Sequence, residues 1–448
     1  MNDVTFYFQV HQPFRLRAYR FFDIGHRDDY FDDAENERIA RRVASKCYLP
    51  MNDLLLRAIE EHGTAFRCSF SISGTALDQF EAWSPETIDS FRALAATGCV
   101  EFLAETSQHS LAALFDEEEF SAQIEAQAAR IERLFGRRPT TFRNTELVVD
   151  NRIARLAEQA GFQGILGEGA DHLLGWRSPH AVYRPEGCER IKTLLRSYRL
   201  SDDIAFRFSN RAWEHWPLRA ETFSAWLQDA IAGLEDQVVG LFMDYETFGE
   251  HQWEDTGIFA FMKALPAALL GAGNLRFATP SEVFERHDPI GRIDIPHPVS
   301  WADAERDLTA WLGNHMQRSA NEALWDIGRD LRGLASRCGD REQTRDAEAL
   351  LAKWRKLTTS DHLYYMCTKF FSDGDVHKYF SPYATPHDAF IAFMNVVDDL
   401  ARRVEGLRAS LQAPAADTSS AIVELMPRES TRAKSAEVLP CGEGKVEA

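Results

Sequence analysis

The chain has 448 residues, 69 acidic against 50 basic side chains, a formal charge of −19, 45% hydrophobic residues and seven cysteines. A chain of that length holds two or three domains or one large barrel and can bury a sizeable core. The acidic surplus argues against a nucleic-acid partner, because neutralising phosphates needs a clustered basic face, and a neutral or cationic partner is expected instead.

The opening MNDVTFYFQV carries an Asp at position 3 and has neither the basic nor the apolar pattern of a leader. No stretch reaches the roughly 18 apolar residues of a membrane helix, so a cytoplasmic location is expected. The cysteines at 47, 68, 99, 188, 338, 367 and 441 form no close pair. They read as buried free thiols, not as a disulfide framework or a zinc site.

Strands are predicted at 4–10, 65–73, 99–105, 140–147, 162–168, 191–197, 238–245 and 275–280, each a short β-branched or aromatic run of the kind buried in parallel sheets. Amphipathic helices separate them. The clearest is 120–135, with Phe120, Ile124, Ala128, Ile131 and Phe135 at helical spacing. Repeated β then α means an α/β fold with a largely parallel sheet. Past residue 290 the segments 302–338, 346–371 and 387–411 read as long helices. From Ala409 onward there is no aromatic residue, and Ala, Ser, Pro and Glu dominate. Such a segment cannot bury enough surface to offset ordering entropy. The expected organisation is a catalytic β/α barrel over 1–290, an α-helical domain over 291–408 and a disordered tail over 409–448.

Polar residues gather where the predicted strands end: His11, Glu105, Glu146, Glu168 and Asp244. Both a β/α barrel and an open doubly wound sheet place their sites at strand C-termini, so this pattern leaves the two open. The absence of Gly-x-Gly-x-x-Gly after a strand argues against a dinucleotide fold.

Glu146 in FRNTEL and Asp244 in LFMDYETFGEH each close an apolar strand. Glycosidic cleavage needs such a pair, one carboxylate attacking the anomeric carbon and one carboxylic acid protonating the leaving oxygen. The bland reading is that they cap the following helices. Trp213, Trp216, Trp253, Trp301, Trp311, Tyr245, Phe248, Tyr364 and Tyr365 offer flat faces that could stack on sugar rings, though single aromatics more often pack in a core. Trp216 and Trp253, beside turn-like or polar sequence, are the better platform candidates. His11, His109 and His251 flank strand ends. Metal-dependent deacetylases on related barrels want an Asp pair after the first strand with His-x-x-x-His, whereas VHQPFR has no such Asp. The three histidines therefore read as hydrogen-bond donors to sugar hydroxyls or as groups that shape a carboxylate's pKa. No metal and no cofactor are expected.

Taken in order, the motifs resemble glycoside hydrolase family 57. HQP (11–13) is similar to its first region and GCVEFL (98–103), with Glu101 at the acidic position, to its second. FRNTEL is similar to the third and MDYETFGEH to the fourth. TSDHLYYM (359–366) resembles the fifth and carries Asp361 and Tyr364 onto substrate-binding positions. SWADAERDLTAWLGNHMQ and SDGDVHKYFSPY resemble the α-amylase branch, although His362 and Tyr364 stand where other branches often have tryptophans. The resemblance implies an incomplete (β/α)7 barrel followed by a C-terminal helical bundle. It also implies a retaining hydrolase of α-1,4-glucosidic bonds in starch- or glycogen-type glucans, with Glu146 as nucleophile and Asp244 as general acid/base. His11, Glu101, His109, Trp216, His251, Trp253, Trp301, Asp303, Asp361 and Tyr364 are the candidate substrate contacts, of which Trp301, Asp303, Asp361 and Tyr364 would come from the helical domain. A 4-α-glucanotransferase or a branching enzyme would use the same carboxylates, and a non-catalytic glucan-binding protein is the alternative of another class. The partner expected is an α-glucan, with no nucleic acid and no membrane.

Overall fold

The computed structural model describes residues 1–233, 235–371 and 381–412. Its strands are β1 (Asn2–Val10), β2 (Cys68–Ile72), β3 (Val100–Phe102), β4 (Thr141–Phe142), β5 (Gly164–Glu168), β6 (Arg184–Pro185), β7 (Lys192–Arg196), β8 (Val238–Asp244), β9 (Leu275–Phe277) and β10 (Arg292–Ile293). Every residue of β1 is buried, which is why its sequence is a nearly continuous apolar run and not an alternation.

The main sheet runs β3-β2-β1-β8-β7-β5-β4, every pair parallel. Strands that follow one another in the chain are therefore neighbours, and β8 returns to β1. That order is a barrel's and not that of a doubly wound sheet, which settles the choice the sequence left open. The two edge strands meet at one isolated bridge between Ala104 and Phe142. There the Ala104 N–H donates to the Thr141 carbonyl (3.0 Å) and the Arg143 N–H to the Ala104 carbonyl (2.9 Å). A seam of one bridge, with no ladder, leaves an incomplete seven-stranded barrel. β9 lies outside the ring beside Asn2–Val4 of β1, and β6 with β10 forms a two-stranded side sheet that the sequence did not reveal.

The best-predicted helix spans Glu117–Phe135. The Asp116 side chain accepts from the Glu119 N–H (2.9 Å) at its start, and Gly136, at φ 82°, ends it. The segment 302–338, expected to be one helix, is instead a loop, a short helix Thr309–Leu312 and a long helix His315–Ala335, whose new start is capped by Asn314 accepting from the Gln317 N–H (3.0 Å).

The helices Arg341–Leu357, Ser360–Tyr364 and Pro386–Gln412 complete this part. They share one apolar core with the β4 and β5 side of the barrel, in which Phe142, Ile153 and Ile165 join Trp311, Trp325, Trp354 and Phe393. Residues 1–411 accordingly form one compact unit. The last helix is pinned to the N-terminal region through Asp399, which accepts from the Tyr30 hydroxyl and the Gly25 N–H (2.6 Å each). It includes residues 409–412, and the rest of the expected tail, 413–448, lies outside the described residues. Most of SDGDVHKYFSPY lies outside them too.

The described cysteines are all free, and only Cys338 is less than fully buried. Among the described residues no helix is long and apolar enough to cross a membrane.

Candidate active site

The C-terminal ends of the barrel strands open into a cleft of about 880 Å³. Glu146 enters it from a tight turn, Thr145–Leu147, that interrupts the strand predicted over 140–147; Glu146 itself stands at φ 58°, ψ 25°. A left-handed non-glycine residue costs of order 1–3 kcal/mol and persists only where its surroundings hold it. Here they do, since the Trp301 backbone N–H donates to the Glu146 carbonyl (3.3 Å). The side chain is held as well. Trp301 Nε1–H donates to Oε2 (2.8 Å), the Ser360 hydroxyl donates to Oε1 (3.1 Å), and His109 Nε2 lies 3.4 Å from Oε1.

Asp244 ends β8 and lines the same cleft. The two carboxyl groups are pushed in opposite directions. For Glu146, burial favours the neutral form, but His109, Arg143 and the Trp301 hydrogen bond together hold it below the usual carboxylate value. For Asp244, burial and then the Glu146 charge push the group up to about 6. Two carboxyls with separated titrations can act as an ionised base or nucleophile and as a neutral acid at one pH.

Around them runs a network of charge. His109 sits between Glu105, whose Oε2 lies 3.2 Å from Nδ1, and Glu146. Burial opposes its protonation, but the two carboxylates raise it to about 9, so it is an imidazolium at neutral pH. The His11 ring stacks on it with centroids 3.8 Å apart and planes 17° apart. Burial and that neighbouring charge hold His11 below its usual value, so His11 is the neutral member of the stack. Its Nε2 lies 2.8 Å from Asp361 Oδ2 and its Nδ1 2.8 Å from Ser73 Oγ. A neutral ring facing a carboxylate carries its proton on Nε2 and leaves Nδ1 to accept from the serine.

Next to Asp244 in the chain, Glu246 is pushed up to about 8 by burial and by the Asp244 charge. Its Oε1 accepts from the His11 backbone N–H (3.1 Å) and from the Tyr48 hydroxyl, which a π-helical turn, Ala44–Tyr48, brings to the cleft. His251 lines the cleft in neutral form, burial lowering it to about 4.

Of the predicted contacts, His11, His109, His251, Trp253, Trp301, Asp303, Asp361 and Tyr364 line the cleft beside Glu146 and Asp244. Trp253 is 60% exposed at the mouth, as a platform would be. Asp303 accepts from Lys369 Nζ (2.7 Å). Glu101 and Trp216 are not cleft residues. Glu101 lies deeper along β3, where it accepts from Thr141 Oγ1 (2.8 Å) and from the N–H and hydroxyl of Ser281 (2.9 Å each), tying the barrel to the helix Pro280–Arg286. Glu105, four residues on, is the group that reaches the network. Trp216 sits on the surface at 42% exposure with the Arg211 guanidinium 5.7 Å over its ring. The sequence reading missed Gln9, Arg143, Glu246, Arg196 and Asp202. Glu246 follows Asp244 by two residues, but nothing local distinguishes it from a helix-capping carboxylate. Among the described residues no three His, Cys, Asp or Glu side chains converge to hold a metal ion.

Comparison with known proteins bears on the same cleft. The profile of glycosyl hydrolase family 57 matches residues 5–296. A protein of Methanocaldococcus jannaschii named "Putative alpha-amylase" is 41% identical over 415 residues, which are 91% of this chain and 85% of that one. Among solved structures, the GH57-type branching enzyme of Pyrococcus horikoshii superposes with a TM-score of 0.62 at 16% identity, over 84% of this chain and 87% of that one. The 4-α-glucanotransferase of Thermococcus litoralis does so with a TM-score of 0.59 at 16% identity, over 81% of this chain. The chain spans 56% of that transferase's length. At such identities these two likenesses are of fold.

Proposed function

The chain belongs to glycosyl hydrolase family 57, and from that membership we propose that it cleaves α-1,4-glucosidic bonds of starch- or glycogen-type glucans with retention of configuration. The observation that carries the reading is the pair of carboxyl groups in one cleft, Glu146 held below the usual carboxylate value and Asp244 pushed up to about 6, so that on the acid side of neutrality one is ionised while the other keeps its proton. Glu146 attacks the anomeric carbon while Asp244 gives its proton to the leaving oxygen, leaving a glycosyl ester on Glu146. Asp244, now a carboxylate, takes a proton from water as the water attacks, and both groups return to their starting states. Trp253 and Tyr364 are suited to stack on sugar rings, and His11, His109, His251, Asp303 and Asp361 to bind hydroxyls. Trp301 orients the nucleophile and faces the bound chain. We take residues 291–408 as the helical domain that completes this cleft around a barrel formed by 1–290. A neutral glucan needs no electrostatic steering, so the −19 charge is mainly a solvated surface. The cytoplasmic location expected from the sequence fits an intracellular glycogen-type substrate.

The same ester could pass to a sugar hydroxyl in place of water, which would make the chain a glucanotransferase or a branching enzyme. Incubation with maltooligosaccharides and chromatography of the products separates the readings. The expected result is shorter chains only. Longer chains alongside shorter ones would make it a transferase, and no change would make it a binding protein.

The carboxyl pair also fixes a pH profile. Turnover needs Glu146 deprotonated, so kcat/KM rises as pH climbs through a value below the usual carboxylate range, and it needs Asp244 protonated, so kcat/KM falls again near pH 6. The expected bell therefore peaks on the acid side of neutrality. A plateau extending to pH 8 would remove Asp244 from the acid role.

A further inference from the structure

Behind the cleft lies one cation that the steps above use only as a charge near Glu146. Arg143, three residues before Glu146, is fully buried. None of its three guanidinium nitrogens has a hydrogen-bond partner among the described residues. The Glu105 carboxylate lies 3.9 Å from Nη1, beyond a hydrogen bond, and the Trp301 ring centre lies 4.6 Å from the guanidinium carbon. The Arg196 guanidinium also lies over Trp301, at 5.8 Å, but it is satisfied by the Phe242 carbonyl (2.8 Å), Asp202 (2.5 Å) and Glu168 (3.2 Å). A buried cation without hydrogen bonds is among the most costly groups a fold can keep, and an apolar side chain of the same length would fill the space at less cost.

What the arginine does touch is informative. Its backbone N–H closes the barrel seam at Ala104 (2.9 Å), which fixes where the side chain starts. Its guanidinium then lies by the indole whose N–H donates to Glu146. We propose that Arg143 is a positioning residue for the reaction: its guanidinium, lying over the Trp301 ring, holds that indole in the plane that meets Glu146 and sets a fixed buried cation beside the carboxyl pair. This rests on the glucan-cleaving reading of the cleft.

The groups facing these carboxyls define what its loss would do. Glu146 is faced by His109, Arg143, Asp244 and Tyr364, and by Trp301 and Ser360 as donors. Asp244 is faced by Glu146, Arg143, His109, Arg196, Glu246 and Tyr7. Arg143 itself is faced by Glu105 and Tyr7. Removing one cation makes both carboxyls harder to ionise, so both limbs of the pH profile move to higher pH. A residue that only fills space under Trp301 would lower the melting temperature and leave the limbs where they are.

The test uses the full chain with Arg143→Met, which removes the charge at similar length, and Arg143→Lys, which keeps it without the planar face that stacks on an indole. For Arg143→Met the expectation is both limbs raised by about one pH unit and kcat lowered about tenfold or more with a smaller change in KM. Arg143→Lys should restore the limbs but not kcat. In parallel, Glu146 is titrated in the substrate-free protein by carboxyl-region infrared difference against Glu146→Gln. Arg143→Met should move that titration upward, and this reading stands even if the wild type proves not to cut glucans. Unmoved limbs and an unmoved Glu146 titration in Arg143→Met would overturn the proposal. If Arg143→Met does not fold, Arg143→Lys decides: wild-type limbs with lowered kcat support it, and undiminished kcat overturns it.

Discussion

The Glu146→Gln variant is expected to lose turnover by roughly 10⁴-fold or more, because in the mechanism proposed the residue that forms the covalent intermediate has no substitute. Glucan binding should survive. The amide is nearly isosteric: its one oxygen can take the place of Oε2, which accepts from Trp301 Nε1–H at 2.8 Å, and its NH2, in the place of Oε1, can donate to the Ser360 hydroxyl, which then accepts where it now donates at 3.1 Å. What the variant cannot restore is the negative charge that compensates the His109 imidazolium from one side. His109 then keeps only Glu105 as its anionic partner, and its titration should fall below about 9. Activity within about tenfold of wild type would remove Glu146 from the nucleophile role, whereas lost binding would mean that the carboxylate mainly shapes the cleft. Calorimetry with maltoheptaose beside steady-state kinetics separates these outcomes.

Asp244→Asn should have the second largest effect, and one that depends on the leaving group. With an unactivated glucan the loss of proton donation should cost roughly 10² to 10⁴-fold in kcat. With a glycosyl fluoride, whose leaving group needs no proton, the first step should recover and the glycosyl ester should accumulate, because no base remains to activate water. Small anions such as azide should then release the sugar. A uniform loss on both substrates would point to a structural role for Asp244. Its neighbour Glu246, pushed up to about 8, also faces the cleft and would be the next residue to test as the proton donor.

Much of this architecture is legible in the sequence because buried parallel strands leave a strong apolar record. The run VTFYFQV marks β1 to within two residues. Closure is a different matter. Ring order depends on which strands pair, and the seam at Ala104 and Phe142 is one bridge with no sequence signal. FRNTEL reads as the end of a strand because its Phe and Thr favour one, yet the chain turns at Thr145 to aim Glu146 into the cleft. Tertiary contacts with Trp301 override the local preference there. The same logic explains the loop after Ser300. Its ADAERDL pattern is amphipathic, but Trp301 must reach Glu146, and Asp303 and Arg306 adopt φ 54° to let it. Glu146 and Asp244, which the ordered motifs single out, line one cleft, whereas Glu101 lies deeper along its strand, and strand depth is something that spacing alone does not carry. Likewise, Trp216 is exposed, but its polar sequence neighbours do not say whether an exposed ring belongs to the cleft.

If Glu146 and Asp244 act as nucleophile and acid/base with retention, the anomeric configuration of the first product records it. Proton NMR of a maltooligosaccharide digest, followed from the first minutes, reports the new reducing ends before mutarotation mixes them. The α-anomer is expected to appear first and the β-anomer only later, at the rate of spontaneous mutarotation. A β-anomer formed first would mean a single inverting displacement by water, and would contradict a glycosyl-enzyme on Glu146.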